Sequence, residues 1–302
     1  MKIENSILKV LVYFDVFRYP LTSKEIMSFL DQPANENDFD IAIEDLLGSK
    51  KIFLLDEFYS LQNDLSLSTR RKKGNEYAAF LLKKAEPIAS RLYKFPYVRG
   101  VGISGSVSKK FADEDADIDY FIITKADRLW IARTFLHLFK KIPLVKNRHQ
   151  HYCMNYFIDE AELVIEEKNI YTATELFTLI PMEGNGSIKK FFETNSWSYH
   201  YFPNKSLPTV KSGIKKHNWW LKSLAEFVFN TKLGNRLDDY LMRWTTRRWK
   251  KKEEQQRLNT KGERMGLKTG KHFSKPGSIF FHDWFMTTYR EKLEKVLEEK
   301  EP

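Results

Sequence analysis

A chain of 302 residues, 42% of them hydrophobic, can bury a substantial core and is long enough for two or three modules. Its single cysteine, Cys153, rules out an internal disulfide framework and a cysteine metal cluster, so a reducing, cytoplasmic setting is expected. The N-terminus makes no convincing secretory signal, and no run approaches the roughly 18 apolar residues of a membrane helix, so no membrane partner is expected. The net charge of +10 is unevenly spread, at −5 over residues 1–70, +4 over 71–204, +13 over 205–275 and −2 over 276–302, so a polyanion contact should be sought late in the chain.

The first module spans residues 1–70. Ile7, Leu8, Val10, Leu11, Phe14 and Phe17 make a helical stripe over 6–19 that Pro20 stops. Thr22 and Glu25 have capping-box spacing ahead of Ile26, Met27, Phe29 and Leu30, which predicts a second helix. A third follows through Phe39, Ile41, Ala42, Ile43, Leu46 and Leu47, ended by Gly48. Residues 51–55 and 58–61 read as a small hairpin. Three helices and a two-stranded wing resemble a winged helix-turn-helix domain. Its third helix and approach carry Glu36, Asp38, Asp40, Glu44 and Asp45, which phosphate would repel, so sequence-specific DNA is not the expected partner and a scaffold or protein-contact role is.

A second module is expected over 71–185. Arg70, Arg71, Lys72 and Lys73 open a helix to about residue 95, interrupted near Pro87, and read as a solvated start that could also attract phosphate. Residues 98–103 form an apolar-tending strand, Gly105 and Ser106 a turn into a short helix, and Tyr120 to Ile123 a second strand. A helix start there would present free backbone N–H groups to an anion. Asp117 and Asp119 stand one residue apart, so the strand period puts both carboxylates on one face, an arrangement suited to a cation. Asp113, Glu114 and Asp115 read as solvent-facing loop charge, and Lys109 and Lys110 as exposed or phosphate-contacting.

Beyond these strands, 127–141 reads as a helix, 152–158 and 163–165 as strands, and 171–176 as the start of a helix closed by Pro181. His149 and His151 beside Cys153 lack zinc-ligand spacing and read as strand-entry surface. The last region, 186–302, is expected to be helical, basic and rich in tryptophan. Arg243 to Lys252 interleaves Trp244 and Trp249 with cations, either as a helix with packed indoles and solvated charges or as a polyanion-binding surface. Gly262, Gly266, Gly270, Gly277 and Pro276 predict a mobile loop.

Ser104-Gly105-Ser106, followed eleven residues later by Asp117-Ile118-Asp119, resembles the nucleotidyltransferase superfamily typified by DNA polymerase beta. The resemblance covers roughly residues 97–125 and, through the order of helices and strands, extends to 75–182. It implies an α+β fold, a mixed sheet with flanking helices, and transfer of a nucleoside monophosphate from a nucleoside triphosphate to a hydroxyl of an acceptor that could be a small molecule, a protein or an RNA. By the same resemblance Gly105 and Ser106 bind the nucleotide, and Asp117 and Asp119 hold Mg²⁺, or Mn²⁺ in its place. The family tends to place a third carboxylate on the next core strand, where this chain has Asn155. An amide can ligate a hard cation but cannot take a proton. The proton would then go to water, to the substrate or to another acid such as Asp159 or Glu175; otherwise the fold serves a non-catalytic nucleotide- or protein-binding regulator.

Overall fold

Three short apolar faces begin the chain. The computed structural model describes residues 3–141, 152–208, 220–258, 262, 264–278 and 281–298. Helix α1 (Ile3–Asp15) buries Ile7, Leu8, Val10, Leu11 and Phe14, and ends in a turn before Pro20. Thr22 caps α2 (Ser23–Ser28) through a complete capping box with Glu25, and Asn35 caps α3 (Glu36–Gly48) by accepting from the Asp38 N–H at 2.8 Å. A hairpin of β1 (Phe53–Leu55) and β2 (Phe58–Ser60) follows.

Helix α4 (Ser66–Tyr93) runs unbroken for 28 residues, so it starts before the basic run and absorbs Pro87, which removes one N–H from the ladder without ending it. Its cations are not merely solvated. Arg71 is 2% exposed and donates to the Pro20 carbonyl at 2.6 Å, to Asn75 at 2.7 Å and to Glu25 at 2.8 Å, with its guanidinium 3.8 Å from the Tyr19 ring centroid. A buried guanidinium is tolerable only with such partners. It joins the N-terminal helices to the rest of the protein.

The sheet is mixed, in the order β6 (Ile180–Glu183), β3 (Val98–Ser104), β4 (Ile118–Thr124), β5 (Tyr152–Asp159), β8 (Phe273–Ser278), β7 (Met265–Thr269). Strand β3 (Val98–Ser104) lies antiparallel to β4 (Ile118–Thr124), and β4 lies parallel to β5 (Tyr152–Asp159). Alternation along β4 sends Ile118, Tyr120 and Ile122 to one face, under α4 and α6 (Leu129–Lys140). Phe121 and Ile123 go to the other, under α7 (Ile170–Thr178) and α8 (Asn185–Thr194). With helices on both faces, the described residues form the expected α+β class. Among them no helix is long and apolar enough to cross a membrane.

Three expectations are corrected. Pro181 does not close a helix but sits in β6 (Ile180–Glu183) opposite Gly102. Leu163 and Ile165 are buried but form no strand, because the Asn195 side chain satisfies the Leu163 carbonyl and the Ile165 N–H at 2.7 and 2.9 Å in place of a ladder. The glycine-containing segment expected as a mobile loop in a helical region is a hairpin, β7 (Met265–Thr269) and β8 (Phe273–Ser278), that extends the sheet through Phe157↔Ser274 and Ile158↔Phe273. Pro276 is tolerated because β8 pairs with β5 only at Phe273 and Ser274. Helices α9 (Trp220–Phe229) and α10 (Lys232–Glu254) precede this hairpin. Helix α11 (Phe281–Glu298) returns to α1, where Phe285 packs on Tyr13 and Phe17 at centroid distances of 5.0 and 5.2 Å.

Candidate active site

Strands β3 and β4 bring the two sequence motifs together, with Ser104 directly opposite Asp119. The chain then leaves β3 through Gly105, whose φ is +73°. A Cβ there would stand 2.5 Å from Asp119 Oδ2, so the carboxylate rests against the bare backbone of the turn. Residues Gly105–Ser108 make the single helical turn α5, and Lys109 folds back from its end. Lys109 Nζ lies 3.1 Å from the Gly105 carbonyl and 2.5 Å from Glu175 Oε1. The lysine is therefore a tie between this turn and α7.

These residues border a cavity of about 690 Å³, within the range of small-molecule sites. Ser104, Gly105, Ser106, Asp119 and Asn155 line it from the sheet, and Tyr171, Thr172 and Glu175 from α7. Phe14, Phe17 and Tyr19 wall it from the N-terminal unit, and Phe281 from α11. Arg70 and Asp113 meet at its edge, where Arg70 Nη2 donates to both carboxylate oxygens at 2.8 and 3.0 Å. Asp113, expected as solvent-facing loop charge, is exposed and also partners the basic run.

The candidate residues do not all arrive at the same place. Asp117 stands just before β4, which begins at Ile118, and is not among the residues that line the cavity; its Oδ2 lies 4.0 Å from Cys153 Sγ. Asn155 reaches the cavity by a bulge. Tyr120 pairs with Met154 and Phe121 with Tyr156, which leaves Asn155 as the extra residue and lets both Asn155 and Tyr156 line the site. A strict alternation would have turned one of them away.

Of the two alternative acids, Asp159 is excluded. It is 0% exposed at the other end of β5, about 13 Å along the strand from Asn155. There it accepts from the Asp127 and Ala161 N–H groups at 2.9 Å and meets His272 Nδ1 at 3.0 Å. It fastens the β7–β8 hairpin to the sheet. Glu175 does reach the cavity, held by Lys109. Burial, and after it the charge of Glu175, with smaller effects of Tyr13 and Asp119, push the Tyr171 hydroxyl well above its ordinary pKa.

The sequence carried no signal for the aromatic walls or for Thr172. That hydroxyl is buried on the cavity lining with no hydrogen-bond partner among the described residues. His149 and His151 lie outside the described residues. Among those described, there is no group of three or more His, Cys, Asp or Glu side chains that could hold a metal ion. The hard oxygen donors of Asp119, seated at the Gly105 turn, and of Asn155 both line the cavity and suit a Mg²⁺ that arrives with phosphate oxygens and water as its other ligands. Compared with protein families, with curated proteins and with solved structures, the chain matches none.

Proposed function

We propose that the protein is a metal-dependent nucleotidyltransferase on a polymerase beta-like core, moving a nucleoside monophosphate from a nucleoside triphosphate to a hydroxyl of a small acceptor. The observation that carries this reading is the Asp119 carboxylate seated against the positive-φ Gly105 turn at the wall of the cavity. Asp119 and Asp117 would hold Mg²⁺, or Mn²⁺, which when bound neutralises charge on the leaving pyrophosphate. Gly105 and Ser106 would receive the triphosphate on exposed backbone. In the reaction the acceptor oxygen bonds to the α-phosphorus, the bond to pyrophosphate breaks, and the acceptor proton leaves. Glu175, the carboxylate that α7 brings to the cavity lining, would take that proton, a task Asn155 cannot perform. The unpartnered Thr172 hydroxyl is placed to orient the acceptor.

A small acceptor is favoured over a polymer because Phe14, Phe17, Tyr19 and Phe281 close the cavity from two sides. The N-terminal unit, winged-helix-like in its order of three helices and hairpin, then serves as a wall of the site. Exposed Glu36, Asp38, Asp40 and Glu44 on α3 speak against duplex DNA.

The second reading, a nucleotide-binding regulator without catalysis, is favoured by Asn155 and by the Lys109 charge already paired with Glu175. Incubation with nucleoside triphosphates, Mg²⁺ or Mn²⁺ and a panel of hydroxylated small molecules separates the two. Pyrophosphate release that falls about 100-fold or more in Asp119→Asn supports transfer. Nucleotide binding without release by the wild type supports the regulator.

A further inference from the structure

Helix α9 is built inside out. Its charged side chains Lys222 and Glu226, one turn apart, face the protein. Lys222 Nζ donates to the Tyr93 and Val98 carbonyls at 2.9 and 2.8 Å. Glu226 accepts from Arg99 at 2.7 and 2.9 Å and from the Tyr97 N–H at 2.7 Å. These contacts fix the rotation of the helix. Phe229 packs inward on Phe135, but four other large apolar side chains, Trp220, Leu224, Phe227 and Val228, recur at i, i+4, i+7 and i+8 and point outward, with Trp220 and Phe227 70% and 78% exposed. Such a stripe ordinarily faces a core.

Helix α10 follows after two residues and has an exposed side of its own. Leu233, Tyr240 and Trp244 are exposed along it, and so are Arg236, Arg243 and Arg247. Their spacing places all six within one broad side of the helix. Among the acids between Lys232 and Lys252, Asp238 is buried on the opposite side and Asp239 is half-buried. The surface is therefore apolar and cationic at once.

We propose that the outward side of α9 and α10 docks on an anionic lipid bilayer, the α9 side chains entering the interfacial layer and the α10 cations meeting the headgroups. Exposed aliphatic residues such as Leu224, Val228 and Leu233 need an apolar phase, which single-stranded nucleic acid, offering stacking for aromatics, does not supply. The arginines need an anionic one. A two-fold contact between copies through this side would set Arg236, Arg243 and Arg247 of each copy near those of the other. A bilayer with anionic headgroups meets both demands. Among the described residues no helix is long and apolar enough to cross a membrane, and a helix that lies in the interface need not be.

The full chain is tested by cosedimentation with phosphatidylcholine vesicles with and without phosphatidylglycerol, at low and high salt. It should pellet with the anionic vesicles at low salt, with a blue shift of tryptophan emission. Phe227→Asp and, separately, Arg243→Glu with Arg247→Glu should each weaken binding about tenfold or more while the thermal melt stays unchanged, and the arginine pair should also flatten the salt dependence. Absence of binding to anionic vesicles at low salt overturns the proposal, as does equal binding by Phe227→Asp. So does concentration-dependent self-association, or binding to single-stranded RNA without vesicle binding, if Phe227→Asp abolishes it.

Discussion

Gly105 holds a backbone conformation that an L side chain rarely adopts, and the space its Cβ would fill is taken by Asp119 Oδ2. Gly105→Ala should therefore cost about 1–2 kcal/mol of stability from the left-handed φ alone, and displace the carboxylate as well. A denaturant midpoint lowered together with nucleotide affinity would bear this out; an unperturbed affinity would separate the turn from the site. A different residue sets a pH dependence. Asp238 is buried with Oδ1 accepting from the Ile131 N–H at 2.8 Å and Oδ2 without a partner among the described residues. Burial above all lifts it to about 7, against partial relief from the Ile131 and Trp130 N–H groups. The folded protein thus holds this proton more tightly than the unfolded chain, a contribution that is full below about pH 4 and lost as pH rises through about 7. Relative to the wild type, Asp238→Asn should gain in Tm between those values, by about 2–4 °C per kcal/mol. Parallel Tm curves for the two proteins would contradict it.

At the scale of elements, α7 brings a carboxylate, Glu175, to the cavity that β5 lines with Asn155. Glu175→Gln should lower turnover about 100-fold or more while leaving triphosphate binding in place, measured by pyrophosphate release beside equilibrium titration. A loss of binding equal to the loss of turnover would make Glu175 structural, an anchor for Lys109. Much of this region was legible beforehand, because β3, the Gly105 turn and β4 are written in local patterns: an apolar run, a glycine, a polar gap and a second apolar run with paired acids. What escaped is set by partners far away in the chain. The bulge at Asn155 depends on register with β4, and the β7–β8 hairpin is made a strand pair by β5, by the Asp159–His272 contact and by Lys268 and Lys275 closing on Glu167 at 2.6 and 3.0 Å. Arg70 and Arg71 look like surface charge until Asp113, Pro20 and Glu25 are brought to them. The apolar stripe of α9 has helical spacing, but spacing alone does not say which side faces the protein; Arg99 and the Tyr93 and Val98 carbonyls decide that.

Across the whole molecule, the cavity exists because distant segments share one core. Buried Tyr13 and Phe14 of α1, Ala173 and Phe177 of α7, and Phe285 and Tyr289 of α11 belong to a single apolar cluster. Lys292 on α11 pairs with Asp15 at 2.5 Å, and Arg71 ties α4 to Pro20 and Glu25. The N-terminal helices and the C-terminal helix are therefore walls of the same site that β3 and β4 floor. That arrangement sets aromatic side chains from both ends of the chain around a cavity that holds a sheet-borne carboxylate, a helix-borne carboxylate and a hydroxyl without a partner among the described residues. The central claim is that Asp119, on its glycine turn, serves nucleotidyl transfer. The most direct measurement is pyrophosphate release from labelled nucleoside triphosphates with Mg²⁺ or Mn²⁺ and small hydroxylated acceptors, wild type against Asp119→Asn. The account predicts release that depends on metal and acceptor and falls about 100-fold or more in the variant. Release unchanged by Asp119→Asn would contradict it.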